Sequence, residues 1–182
     1  MSLNIVLRFS LAAMLPACCA LASCVSLSTE DLRGWDTAMR RIDTAHGHVG
    51  RFGNADSAVS VKGFYLWDQI GGRESLPTDA VEIVALSNRL RFRLIRGGTA
   101  VDSMERAATM APTYATLGGT RIAGIPPLLW GIFDEAIALG VSGTGELTLL
   151  RTAGGVGFLG PLPLMAGGGG PPYGLTFRPA GP

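Results

Sequence analysis

The side chains in this sequence that could do chemistry are two histidines, a serine among glycines, a pair of adjacent carboxylates and three cysteines. His46 and His48 lie two apart, so on a strand both would point to one face, as paired metal ligands can. No cysteine is near them and no carboxylate spacing completes a ligand set, so they read as turn or surface residues and no metal is expected. Ser142 stands in Gly140-Val141-Ser142-Gly143-Thr144, which departs at its fifth position from the Gly-x-Ser-x-Gly elbow of an activated serine. Asp134 and Glu135 are neighbours, and on a strand they would face opposite ways, a poor geometry for a general acid and base. The glycine tracts lack the Gly-Lys-Ser/Thr ending of a phosphate loop, and no G-x-G-x-x-G opens a helix. These patterns point to no catalytic residue and no cofactor, and the chain reads as a non-enzyme.

The sulfur chemistry is more specific. Cys18, Cys19 and Cys24 all lie near the start, where Arg8 leads into an uncharged run from Phe9 that closes on Leu21-Ala22-Ser23-Cys24. This stretch resembles the type II signal peptide of a bacterial lipoprotein, with Leu21, Ala22 and Ser23 as the lipobox. The resemblance implies cleavage before Cys24, a diacylglyceryl group on its sulfur and a third acyl chain on its new amine. Each buried methylene contributes about 0.8 kcal/mol, so one acyl chain anchors marginally and two or more hold firmly. Val25 and Ser26 lack the aspartate that retains such proteins at the inner membrane, which implies the outer membrane of the cell envelope. Three other readings stay open: a second lipobox-like string ending at Cys18, ordinary secretion with cleavage after Ala22, and a spanning helix over Phe9 to Leu27. All of them place the domain outside the cytoplasm.

Composition bounds the partners. With Arg8 removed in the leader, basic and acidic residues balance, so nothing invites nucleic acid and no polybasic tract seeks anionic lipid. The expected partners are the membrane, through the anchor, and an envelope protein. The chain beyond residue 23 has the length of one domain and no cysteine other than Cys24. Its 26 glycines in 182 residues are about twice the usual ~7%, and they punctuate short apolar runs as turns punctuate strands.

Spacing predicts the elements. Ser28 to Thr44 reads as a helix, capped by Ser28 with Asp31 and carrying Leu32, Trp35, Met39 and Ile42 on one face. Val49 to Ile70 follows no single period. Asp79 to Arg96 reads as a hairpin turning at Ser87-Asn88, which pairs Ala85 with Leu90, Ile83 with Phe92 and Val81 with Leu94 on one side. The other side then pairs Leu86 with Arg89, Val84 with Arg91 and Glu82 with Arg93. Ile137 to Arg151 reads as a second hairpin, with Val141 facing Leu147, Leu139 facing Leu149, and Gly145 left-handed in the loop. Tyr114 to Ile125 reads as strand, turn and strand around Gly118-Gly119. Val156 to Pro182 reads as a strand, a glycine-rich loop and a last strand, with its uncharged Val156 to Ala166 portion as a candidate surface for lipid or a partner.

Together these predict an all-β fold, an antiparallel meander forming a curved sheet or small barrel, with one N-terminal helix. The chain divides into a leader (1–23), the acylated cysteine with tether and helix (24–47) and a β-rich domain (48–182). This layout resembles that of small outer-membrane lipoproteins. The expected role is a membrane-anchored envelope protein that docks a partner or serves structurally. The alternative is a carrier of a lipid or other apolar ligand, with Ile83, Phe92 and Leu149 facing the ligand. Arg89, Arg91 and Arg93 form a row suited to an anionic surface, because each guanidinium donates two parallel hydrogen bonds.

Overall fold

A computed structural model describes residues 27–28, 30–40, 42, 47–58, 64–125, 128–159, 162–167 and 171–181. Cys24 and its lipobox, His46 and Pro126-Pro127 lie outside the described residues. The protein is all-β and antiparallel. Its strands are β1 (Met39–Arg40), β2 (His48–Gly53), β3 (Ala80–Leu86), β4 (Arg89–Arg96), β5 (Thr99–Ala107), β6 (Thr109–Met110), β7 (Tyr114–Ile125), β8 (Leu129–Ser142), β9 (Leu147–Leu159), β10 (Leu162–Gly167) and β11 (Tyr173–Phe177). Two single turns of helix accompany them, α1 (Trp35–Ala38) and α2 (Leu66–Gln69). The chain falls into two compact units: residues 27–118, 136–151 and 172–182 form the larger, and residues 119–135 and 152–171 belong to the smaller.

In the larger unit, one sheet has the order β2-β3-β4-β5, and the other contains β6, β7, β8 and β9 with β11 beyond β9. The chain passes from one sheet to the other through Ala108, whose N–H reaches the Asn88 carbonyl at 2.9 Å. On another margin the segment after β11 pairs with β2: Gly53 N–H donates to the Arg178 carbonyl and Ala180 N–H to that of Arg51, at 2.8 and 2.9 Å. Both sheets turn their apolar residues onto a shared core that includes Phe52, Ile83, Phe92, Leu117, Leu139, Leu149 and Phe177.

The two hairpins form as their alternation requires. Across β3 and β4 the partners are Ala85 with Leu90, Ile83 with Phe92, Val81 with Leu94 and Glu82 with Arg93. A slip of one residue would bury three arginines, so the register is strongly fixed. In the β8–β9 hairpin, Ser142 N–H donates to the Glu146 carbonyl at 2.8 Å, and Gly145 takes φ +88°, the left-handed conformation that favours glycine.

Three expectations change. The helix over Ser28 to Thr44 is replaced by turns and the single turn α1. Ser28 and Asp31 do cap each other, with Ser28 N–H donating to Asp31 Oδ2 at 2.8 Å and Asp31 N–H to Ser28 Oγ at 3.1 Å. What they cap ends at Gly34 (φ +84°), and the chain then pairs Met39 with Ser142 and Arg40 with Val141 as a strand. The backbone bonds offered by β8 outweigh a weak helical preference. Gly118-Gly119 makes no turn either; β7 runs straight through it, with neither glycine at positive φ. Finally, the tail returns along one edge of β9 in two pieces. β10 pairs with residues 155–159 and β11 with residues 147–151.

The stretch with no period, Val49 to Ile70, contains the plug of the larger unit. Leu66, Trp67 and Ile70 on and beside α2 are fully buried in the shared core. Asn54, itself fully buried, holds them there. Its carbonyl accepts Leu66 N–H and its Oδ1 accepts Trp67 N–H, both at 2.8 Å, while its Nδ2 donates to the Leu76 carbonyl at 2.8 Å. Asn54→Ala would leave a buried donor and a buried acceptor unpaired, at ~1–3 kcal/mol each. Urea unfolding should therefore show Asn54→Ala about 2–4 kcal/mol less stable than the parent, while Ser57→Ala, which loses one exposed bond to the Thr176 carbonyl, should change stability by less than about 0.5 kcal/mol.

Candidate functional site

A ligand could meet this protein in its interior, on its charged sheet face, in a groove beside β2, or on its smaller unit. Among the described residues the interior of the larger unit is closely packed. Ile83, Phe92 and Leu149, expected to face a ligand, are buried to 1% exposure or less among their neighbours. The enclosed cavity beside them, bordered by Ile42, Val49, Ile83, Leu139 and Leu147, measures about 10 Å³. That is room for about one water and none for an acyl chain.

The arginine row lies on the exposed face of β4, and its three guanidiniums share two carboxylates. Arg91 meets Glu105 at 2.7 Å, Arg89 meets the same carboxylate at 3.4 Å, and Arg93 meets Glu82 at 3.3 Å. The Arg91 hydrogen bond holds the Glu105 carboxyl below the ordinary carboxylate range, with the Arg89 bond adding to it. Such exposed pairs contribute little to stability, but they leave the row with less field for an outside anion than three bare guanidiniums would have. The cross-strand pairing of Glu82 with Arg93 was legible in the sequence; Glu105 was not, because β5 carries mostly exposed residues and no alternation sets its register.

A groove of about 410 Å³ opens beside β2, lined by Arg40, His48, Arg51, Glu82, Phe52 and the segment 179–181. His48 Nε2 stands 3.7 Å from Glu82 Oε1, and Arg40 Nη2 donates to the Val49 carbonyl at 3.2 Å. Arg51 Nε is buried with no hydrogen-bond partner among the described residues. The groove mixes apolar lining with three basic side chains around one carboxylate.

Catalytic geometry is not assembled at the serine or the carboxylate pair. Ser142 Oγ sits 2.7 Å from Thr144 Oγ1 and accepts Glu146 N–H at 3.1 Å, a turn-closing role. Asp134 Oδ1 accepts the Thr120 hydroxyl on the neighbouring strand at 2.5 Å. Among the described residues no three His, Cys, Asp or Glu side chains gather as a metal site, and no helix is long and apolar enough to cross a membrane.

The smaller unit carries the protein's most exposed apolar side chains. Trp130 stacks on Phe158, with centroids 4.4 Å apart and planes 17° apart, and Val156 and Phe158 are buried on that face. The opposite face is open. Glycines 131 and 155 leave room for the Phe133 ring to lie across β8 and β9. Ile125, Leu128, Leu129, Leu159 and Leu162 stand between 54% and 71% exposed. Sequence reading singled out the later half of this surface, Val156 to Ala166, but left Leu128 to Phe133 unassigned. The chain matches no family model, no curated protein and no solved structure.

One charged pair in the larger unit is structural. Arg96 grips Asp79 with two bonds, Nε to Oδ1 at 2.9 Å and Nη2 to Oδ2 at 2.8 Å, and Leu76 N–H adds a third at 2.7 Å. The Arg96 hydrogen bond, helped by that of Leu76, holds the Asp79 carboxyl below its ordinary 3.8 although burial opposes it. A depressed carboxylate stabilises the fold above its unfolded value, and that contribution fades as pH falls through the folded one. Unfolding curves taken downward from about pH 5 should lose stability below about pH 4, and Arg96→Met should flatten that slope while lowering stability at neutral pH. An unchanged slope would remove Arg96 as its cause.

Proposed function

We propose that this chain is a membrane-anchored envelope lipoprotein, acylated at Cys24 and held at the outer membrane, whose β-domain acts non-enzymatically by docking a partner through its surface. The observation that carries the docking half is the concentration of exposed apolar side chains on the smaller unit, from Ile125 to Phe133 and at Leu159 and Leu162. Isolated exposed apolar residues are ordinary, whereas a cluster of five or more on one small unit marks a surface meant to be covered. Among the described residues, the cavity enclosed beside Ile83 and Leu139 measures about 10 Å³, too small for a lipid, which supports docking over carriage. The anchoring half rests on Leu21-Ala22-Ser23-Cys24 and the absence of any later cysteine.

Metabolic labelling with an alkyne analogue of palmitate tests the anchor. The parent protein should carry the label and Cys24→Ser should lose it entirely. Label persisting in Cys24→Ser, or absent from the parent, would contradict acylation at this position.

A further inference from the structure

We propose that the partner of the smaller unit is the bilayer itself: the tips of its two hairpins enter one lipid leaflet, led by a row of Leu129, Leu159 and Leu162 with Ile125 and Leu128 at the turn. The inference rests on the docking reading above and names its occupant.

The topology brings the tips together. β8 and β9 are antiparallel neighbours, so the turn that opens β8 lies at the same end as the turn that closes β9. The register in which Ser142 meets Glu146, carried along the strands, sets Leu129 opposite Leu159, and the Gly155 position beside Ile132 and Phe133 agrees with it. Leu159 is paired in turn with Leu162 on β10. Cross-strand partners share a face, so the three leucines form a continuous row across three strands. Leu128 N–H closes the turn onto the Ile125 carbonyl at 2.8 Å, which adds two more exposed apolar side chains at the same tip.

Lipid, rather than a protein groove, is favoured by what the tips lack. No residue is charged from Ile122 to Phe133 or from Thr152 to Phe177, so the tips carry no charged side chain that hydrocarbon would have to accept. Pro126, Pro127, Pro161 and Pro163 fall in these two stretches, and none of them carries a backbone N–H. An unpaired N–H is costly in hydrocarbon, and proline abolishes it.

The same physics sets the depth. From Leu129 to Asp134 the strand advances ~3.3 Å per residue, about 16 Å in all, close to half of the ~30 Å hydrocarbon core. Asp134 stops further entry, and among the described residues β10 is paired along one edge only, which no spanning sheet tolerates. The tips therefore enter one leaflet and do not cross.

The test uses the full-length expressed protein with one added cysteine, Leu129→Cys or Leu162→Cys, or Leu76→Cys as an exposed control on the larger unit. Each is labelled with an environment-sensitive nitrobenzoxadiazole dye and bound to vesicles of phosphatidylethanolamine and phosphatidylglycerol carrying a nitroxide deep in the acyl chains. The expected result is a blue shift and loss of intensity at positions 129 and 162 and neither at 76. Unquenched dye at 129 or 162 on vesicle-bound protein, or equal quenching at 76, would overturn the proposal. The anchor reading fails separately: the parent chain would then take up dye at an unacylated Cys24.

Discussion

The structure depends on how a sheet-wrapped interior is filled. The larger unit encloses a space that its strands alone do not occupy, and the chain supplies the filling from a loop. Trp67 is the largest fully buried side chain, and it comes from a single helical turn too short to be stable alone. Asn54 makes that turn possible by taking over the backbone groups of Leu66 and Trp67, so a polar residue with no exposure is what keeps an apolar plug in place. Asp79 and Arg96 extend the same arrangement, since Asp79 accepts from Leu76 and its carbonyl accepts from Asn54 N–H at 3.0 Å. Removing Arg96 leaves the Asp79 carboxylate buried without its charged partner.

The exterior of the described residues divides by chemistry. On the larger unit, arginines and glutamates pair with one another along β4 and β5. On the smaller unit the exposed large apolar side chains are leucine, isoleucine and phenylalanine, in stretches rich in glycine and proline. An acyl anchor at Cys24 and an apolar tip would act together, because two weak attachments to one bilayer raise the effective concentration of each for the other.

Legibility in the sequence followed the strength of alternation. The hairpin over Val81 to Leu94 could be read residue by residue, since one face is wholly apolar and the other holds three arginines. The second hairpin was legible for the same reason, down to the left-handed Gly145. The plug was not, because α2 is one turn long and buried on every side, so neither helical nor strand period exists to be read. The helix over Ser28 to Thr44 was over-read: its capping pair is real, but the pairing of Met39 and Arg40 with β8 prevails over propensity. Half of the apolar tip was visible as the uncharged run from Val156 to Ala166. The half from Leu128 to Phe133 was hidden, because a short apolar run with no alternation looks the same in a core as on a surface.

The central claim, that the interior is closed by its own chain, is tested most directly by amide hydrogen exchange at Leu66, Trp67, Gln69 and Ile70. These amides donate to Asn54, Tyr65 and Leu66 inside the fold. They should exchange as slowly as those of Ile83 and Phe92 in the central strands, through unfolding of the whole unit. Exchange faster by roughly a hundredfold or more, as in a mobile surface loop, would mean that the plug leaves its seat and that the interior is open to a ligand.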